Sequence, residues 1–127
     1  MKKILVVDDE EDIRDLLRDI LTDSGYEVIT AEDGLKAVSE VKKSPPDLII
    51  LDVMMPIISG PRLMVLLRSY AEPVSKIPII ICSASHVVDE VVNSGEFGVK
   101  PEDCISKPFQ VRELLRKIQD RLNKNAN

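Results

Sequence analysis

The sequence contains few aromatic residues, few cysteines and no long hydrophobic run. Aromatic side chains make up 3% of the 127 residues and tryptophan is absent, so a core must be built from aliphatic side chains. Cys82 and Cys104 lie in or beside apolar runs, which favours buried, reduced thiols over a disulfide framework. Four apolar residues separate Lys3 from Asp8, too few for a signal peptide or a membrane span. A cytoplasmic protein is therefore expected.

The sequence also lacks an excess of basic residues. It carries 17 Lys and Arg against 22 Asp and Glu, which gives a formal net charge of −5 and a pI of about 4.9. Direct nucleic-acid binding is therefore not expected, because phosphate contacts need a basic surface. The sequence contains no repeat, linker or low-complexity tract. We predict a single domain over residues 1–127, with a frayed polar tail over residues 123–127.

Apolar runs alternate with amphipathic stretches along the whole chain. Short runs such as 4–7 and 48–51 are typical of strands buried on both faces. The stretches between them carry apolar residues at helical spacing. A strand followed by a helix, five times over, predicts an α/β fold: a doubly wound, five-stranded parallel sheet with five helices on its two faces. The other strands are expected at residues 26–30, 77–81 and 103–106.

Polar residues stand where four of the predicted strands end. The first strand is followed by Asp8 and Asp9, the third by Asp52, the fourth by Ser83 and the fifth by Lys107. Ligands of open parallel sheets bind beyond the carboxyl ends of the strands, so these side chains are expected to converge. Three neighbouring carboxylates repel one another, and at least one should have a raised pKa. Mg²⁺, a hard cation that prefers oxygen ligands, would relieve this repulsion.

Each of these residues also has a simpler interpretation. Asp9 could cap the first helix, Ser83 could cap the fourth helix, and Asp52 could cap a turn before Pro56. Lys107 could be an ordinary solvated lysine. Their joint placement at strand ends is what favours a common site.

Four segments, taken in order, resemble the receiver domain of two-component response regulators. They are Leu-Val-Val-Asp-Asp-Glu at 5–10, Leu-Asp-Val-Met-Met-Pro at 51–56 with Gly60, Ser-Ala at 83–84, and Lys-Pro-Phe at 107–109. The resemblance covers essentially the whole chain. It implies a flavodoxin-like sheet with strand order 2-1-3-4-5 and a cis bond between Lys107 and Pro108.

The resemblance also implies a role for each strand-end residue. Asp52 matches the phosphoacceptor, and Ser83 and Lys107 match the residues that contact the phosphoryl group. Asp9, Asp52 and the backbone carbonyl of Met54 match the direct Mg²⁺ ligands, while Asp8 matches the acid that holds the metal through water. Such a protein is a phosphoacceptor switch rather than an enzyme. It takes its phosphoryl group from a histidine kinase or a phosphotransfer protein. Phosphorylation then switches the face formed by the fourth helix and the fifth strand, for a downstream protein partner or for phosphorelay.

The sequence departs from the family pattern in one region. Cys104 stands three residues before Lys107, where many members carry a Tyr or Phe that moves on activation, and a thiol is too small to do the same. Gly95, Gly98 and Pro101 predict a shortened fourth helix and a long irregular connection.

Two other functions remain open from the sequence. A receiver-like module could bind a partner independently of phosphorylation, and Cys104 and the unusual fourth segment are compatible with this. A Mg²⁺-dependent phosphohydrolase could also use an Asp nucleophile. Such enzymes usually carry a second Asp two residues further on as acid or base, and here that position is Met54.

Overall fold

The structure, a computed structural model, describes residues 1–55 and 59–125. Its strands are β1 (Lys3–Val7), β2 (Glu27–Ala31), β3 (Leu48–Leu51), β4 (Ile79–Ala84) and β5 (Cys104–Lys107). Its helices are α1 (Glu11–Asp23), α2 (Gly34–Lys43), α3 (Gly60–Arg68), α4 (Ser85–Ser94) and α5 (Val111–Asn125). Short 3-10 turns cover Val74–Lys76 and Pro101–Asp103. Within the described ranges, no helix has both the length and the apolar character needed to cross a membrane.

All neighbouring strands are parallel, and their order is β2-β1-β3-β4-β5. This confirms the predicted doubly wound, flavodoxin-like sheet with its order 2-1-3-4-5. The pairing keeps the carboxyl ends of the strands level, since Val7 pairs with Leu51 and Ala84 pairs with Lys107. Residues that follow β1 and β3 therefore emerge side by side at one edge of the sheet.

The core has two aliphatic layers, one on each face of the sheet. Alternate strand side chains point to opposite faces, so Leu5 and Val7 pack with α2, α3 and α4, whereas Ile4 and Val6 pack with α1 and α5. In the described part of the chain the buried apolar side chains are Ile, Leu, Val, Ala and Cys, as the scarcity of aromatics predicted. The two cysteines are buried free thiols in different layers, which confirms that expectation.

Several predicted boundaries need correction. β4 runs over Ile79–Ala84 rather than 77–81, because its last residues continue to pair with β5. The predicted polar tail begins at residue 123, whereas α5 continues to Asn125. Leu122 is buried there, and a cation such as Lys124 is favourable near a helix C-terminus. The final two residues lie outside the described ranges.

The region after α4 agrees with the expectation of an irregular connection. α4 has ten residues and ends at Ser94, and Gly95, which caps it, adopts a left-handed conformation with φ of 64°. Gly98 also has a positive φ of 67°. The chain then forms the 3-10 turn Pro101–Asp103 and enters β5.

Candidate acidic pocket

The turn between β1 and α1 supplies the first two acids of the predicted site. Asp8 is 2% exposed, and its Oδ1 accepts a hydrogen bond of 3.0 Å from the Glu10 amide. Asp9, the next residue, is exposed. Glu10 rather than Asp9 occupies the N-cap position of α1. The simpler interpretation of Asp9 as a helix cap is therefore wrong, and its carboxylate is available at the edge of the sheet.

Asp52 follows β3 and is buried beside Ser83. The Ser83 hydroxyl donates to Asp52 Oδ1 at 2.5 Å and accepts a hydrogen bond of 2.9 Å from the Val53 amide. The Met54 amide also donates to Asp52 Oδ1, at 3.2 Å, a local contact of the kind expected of a turn. Ser83 does not cap α4, whose N-cap is Ala84. Pro56, which was expected to follow this turn, lies outside the described residues.

Lys107, at the end of β5, reaches into the pocket instead of remaining in solvent. Its side chain is 17% exposed, and Nζ lies 2.7 Å from Asp8 Oδ2, 3.4 Å from Asp52 Oδ2 and 3.9 Å from Glu10 Oε1. Although burial opposes its charge, the hydrogen bond that Lys107 donates to Asp8 and the charges of Asp8 and Asp52 raise the pKa of Lys107 above its ordinary value. The ammonium is therefore retained at neutral pH. The expected cis bond to Pro108 is present.

The four carboxylates of the pocket have the geometry and chemistry of a cation site. Asp8, Asp9, Glu10 and Asp52 each offer an oxygen, and these oxygens all lie within 4.8 Å of one another. Burial raises the pKa of Asp8, and the charge of Asp52 adds to this, against the hydrogen bonds from Lys107 and Glu10. The direction agrees with the expected raised carboxyl pKa, but its main cause is burial rather than the predicted repulsion between carboxylates. A set of hard oxygen donors with excess negative charge fits Mg²⁺.

Glu10 is the member of this cluster that the sequence prediction did not include. It belongs to the acidic run that follows β1, and such a run is also what a helix dipole favours near its N-terminus. The sequence did contain a signal for Glu10, because this residue directly follows the two acids at the end of the first strand. Met54 is 65% exposed, and the role of its carbonyl as a ligand stays a prediction.

The two thiols near the site have little nucleophilic character. Cys82 precedes Ser83 in β4, and burial raises the pKa of Cys82 to about 12. Cys104 is buried in β5, where its Sγ contacts the carbonyl oxygen of Lys100 at 3.5 Å and burial raises its pKa. A thiolate is the reactive form of cysteine. The chemistry at this edge of the sheet therefore depends on oxygen and nitrogen groups.

The fold and the pocket together place the chain in a class of α/β signalling domains. In this class an acidic pocket lies at the carboxyl edge of a parallel sheet. The chain matches the response regulator receiver domain over residues 4–119, and it belongs to that family. It is thus a receiver domain of the two-component response regulators. Receiver domains are phosphoacceptors rather than enzymes in the ordinary sense. They typically bind Mg²⁺ at an acidic pocket and interact with histidine kinases and downstream effectors.

Individual relatives support the same assignment. The chain is 41% identical over 118 residues to the alkaline phosphatase synthesis transcriptional regulatory protein PhoP of Bacillus subtilis (strain 168), covering 93% of this chain and 47% of PhoP. It is 36% identical over 124 residues to the response regulator MprA of Mycobacterium sp. (strain KMS), covering 98% of this chain and 52% of MprA. The chain thus spans about half the length of the curated relatives it matches.

A solved structure matches the chain over nearly its whole length. The chemotaxis response regulator CheY4 of Vibrio cholerae superposes with a TM-score of 0.81 at 32% identity, covering 94% of this chain and 98% of CheY4. The five parallel strands and five helices of this chain are those of the flavodoxin-like receiver fold.

Proposed function

We propose that Asp52 accepts a phosphoryl group in a Mg²⁺-dependent transfer from a phosphohistidine on a histidine kinase or phosphotransfer protein. The observation that carries this proposal is the set of contacts around the Asp52 carboxylate. The carboxylate is buried, Ser83 donates a hydrogen bond to one oxygen, and Lys107 lies 3.4 Å from the other. A hydroxyl and an ammonium are the donors that a phosphoryl group attached there would need.

The transfer follows from the chemistry of a carboxylate nucleophile. A carboxylate oxygen of Asp52 forms a bond to phosphorus, and the bond between phosphorus and the donor nitrogen breaks with its electron pair remaining on the imidazole. Phosphoryl transfer requires mostly positioning and charge stabilisation. The hydrogen bonds of Ser83 and Met54 to Oδ1 fix the orientation of the carboxylate before the donor arrives.

The cations of the site offset the charge of the phosphoryl group. Lys107 retains its proton at neutral pH, and its position between Asp8 and Asp52 lets it interact with a phosphoryl oxygen. We infer that Asp9, Asp52 and the Met54 carbonyl hold Mg²⁺ directly, with Asp8 acting through water. When bound, the ion supplies charge neutralisation to the phosphoryl oxygens.

Phosphorylation would alter the contacts of Ser83. Its hydroxyl already donates to Asp52 before transfer, so the switch consists of exchanging that acceptor for a phosphoryl oxygen, rather than of a long inward movement. Since α4 begins at Ser85, two residues further on, a shift of Ser83 passes directly to that helix. The face of α4 and β5 is thus the surface on which a downstream partner would detect the modification.

Intact mass spectrometry with acetyl phosphate as a small donor tests the proposal. With MgCl₂, wild type should gain one phosphoryl group and release acetate, whereas Asp52→Asn should gain none. Asp19→Asn is the matched control, because Asp19 is an exposed carboxylate on α1, and it should behave as wild type. A wild-type protein that stays unmodified, or an equal adduct on Asp52→Asn, would contradict the proposal.

Cys104 favours a second candidate function, which is partner binding that does not depend on phosphorylation. A buried thiol stands where the family resemblance implies a mobile aromatic side chain, so phosphorylation could leave the α4 and β5 face unchanged. In that case the domain would bind its partner independently of phosphorylation. Equal partner affinity of the phosphorylated and unphosphorylated protein would support that function, and a change in affinity would reject it.

A further inference from the structure

Asp8 forms hydrogen bonds through both its main chain and its side chain. Its amide donates to the Ala31 carbonyl at 3.2 Å, and its two carboxylate oxygens accept from the Glu10 amide and from Lys107. The remaining polar group, the Asp8 carbonyl oxygen, accepts a hydrogen bond of 2.8 Å from Nη1 of Arg14. Every polar group of this residue is therefore engaged by a different element or turn.

Arg14 connects both sides of the turn that carries the acids. Its side chain contacts Asp8, the first residue of the turn, while its own amide donates to the carbonyl of Glu10 at 3.1 Å. Asp9 lies between these two contacts. The ladder between β1 and β3 ends just before this point, where the Asp52 amide donates to the Val7 carbonyl at 3.0 Å. Beyond that bond, the sheet no longer restrains the Asp8 carbonyl, and the Arg14 guanidinium does.

The position of Arg14 near the start of α1 is by itself unfavourable for a positive charge. It is the fourth residue of α1, and the positive end of the helix dipole disfavours positive charge there. Arg14 is half-buried, and its guanidinium donates a hydrogen bond to the Asp8 carbonyl oxygen at 2.8 Å. Because this bond is to a main-chain oxygen, Arg14 restrains the turn without using a carboxylate oxygen of Asp8 as its acceptor.

We propose that Arg14 is a positioning residue of the acidic pocket, whose guanidinium fixes the main chain at Asp8 and thereby the placement of the Asp8 and Asp9 carboxylates for Mg²⁺. This inference rests on the proposed function, because it concerns the affinity of the same pocket. Outer-shell hydrogen bonds orient metal ligands in this way, and their loss commonly lowers metal affinity by about tenfold or more.

The test is the dissociation constant of MgCl₂ measured by isothermal titration calorimetry, well below the unfolding temperature of each variant. Arg14→Met keeps the length of the side chain but removes the donor and the charge, and it should bind Mg²⁺ about tenfold more weakly than wild type. Arg14→Lys keeps a charge and an N–H donor, and its affinity should be closer to that of wild type. If Arg14 had only a structural role, Arg14→Met would have a lower unfolding temperature, but it would not bind Mg²⁺ more weakly than wild type and Arg14→Lys.

Arg18→Met is the matched control. Arg18 lies one turn further along α1 and donates to the Thr30 hydroxyl at 2.9 Å, so its removal should leave Mg²⁺ affinity unchanged. Equal or tighter binding by Arg14→Met would overturn the inference, since the guanidinium would then be either irrelevant or merely a repelling charge. Failure of wild type itself to bind Mg²⁺ would instead reject the proposed function.

Discussion

At the scale of single residues, the Ser83 hydroxyl has both a structural and a chemical role. It satisfies the buried Val53 amide and orients Asp52. Ser83→Ala would leave that amide without an acceptor, which should lower the free energy of unfolding by about 1–3 kcal/mol. Ser83→Thr keeps the hydroxyl and should retain most of this stability. Urea denaturation measures the difference, and an alanine variant as stable as wild type would contradict this role.

The sequence predicted which side chains meet, but not how they pair. Asp8, Asp9, Asp52, Ser83 and Lys107 could be predicted as neighbours, because parallel strands place their carboxyl ends at one edge. Which carboxylate Lys107 approaches most closely depends on distances of a few tenths of an ångström and on rotamers. Hydrophobic periodicity contains no such information. For the same reason, the contact between Ser83 and Asp52 in the unphosphorylated protein could not be predicted.

At the scale of secondary-structure elements, the start of α3 is packed against the end of β3. A Cβ atom added to Gly60 would lie 2.6 Å from the Asp52 carbonyl oxygen and 2.7 Å from Val53 Cα. Both neighbours are backbone atoms, so one of the two elements would have to move. Gly60→Ala should therefore lower the free energy of unfolding by about 1–3 kcal/mol and slow the phosphorylation of Asp52.

Gly98→Ala is the comparison for this variant. The position is open but has a positive φ of 67°, so alanine should cause local strain without changing the rate of phosphorylation. Acetyl phosphate time courses followed by intact mass, together with urea denaturation, separate the two effects. Equal phosphorylation rates for Gly60→Ala and wild type would show that α3 does not control the position of Asp52.

The order of elements was predictable and their ends were less so. Alternation of apolar runs and amphipathic stretches determined five strands and five helices, and family resemblance supplied the strand order. β4 extends to Ala84 through Cys82 and Ser83, although Ser83 is polar, because pairing with β5 and burial favour the strand there. That extension depends on a contact with residues more than twenty positions away, which a local pattern does not contain.

At the scale of the whole molecule, Mg²⁺ should stabilise the fold. The acids that would hold the ion lie on the turn after β1 and at the end of β3, so they form a site only in the folded chain. A ligand that binds only the folded state at about 100 times its Kd raises the free energy of unfolding by about 2.7 kcal/mol. Thermal unfolding in MgCl₂, compared with EDTA at matched ionic strength, should show a higher Tm for wild type.

Asp9→Asn separates site binding from a general salt effect. Asp9 is exposed and next to the buried Asp8, so its replacement should preserve the fold while removing a proposed ligand. The increase in Tm should then be largely lost. An increase of the same size in Asp9→Asn and wild type would mean that Mg²⁺ acts elsewhere on the acidic surface.

The most direct measurement is to locate the phosphoryl group on the chain. Borohydride reduces an aspartyl phosphate to homoserine, so treating the acetyl-phosphate-modified protein with borohydride and sequencing its peptides by tandem mass spectrometry identifies the modified residue. We predict homoserine at position 52 alone, dependent on Mg²⁺. Homoserine at Asp8 or Asp9, or at no position in a protein that had gained the phosphoryl mass, would contradict the assignment of Asp52 as the acceptor.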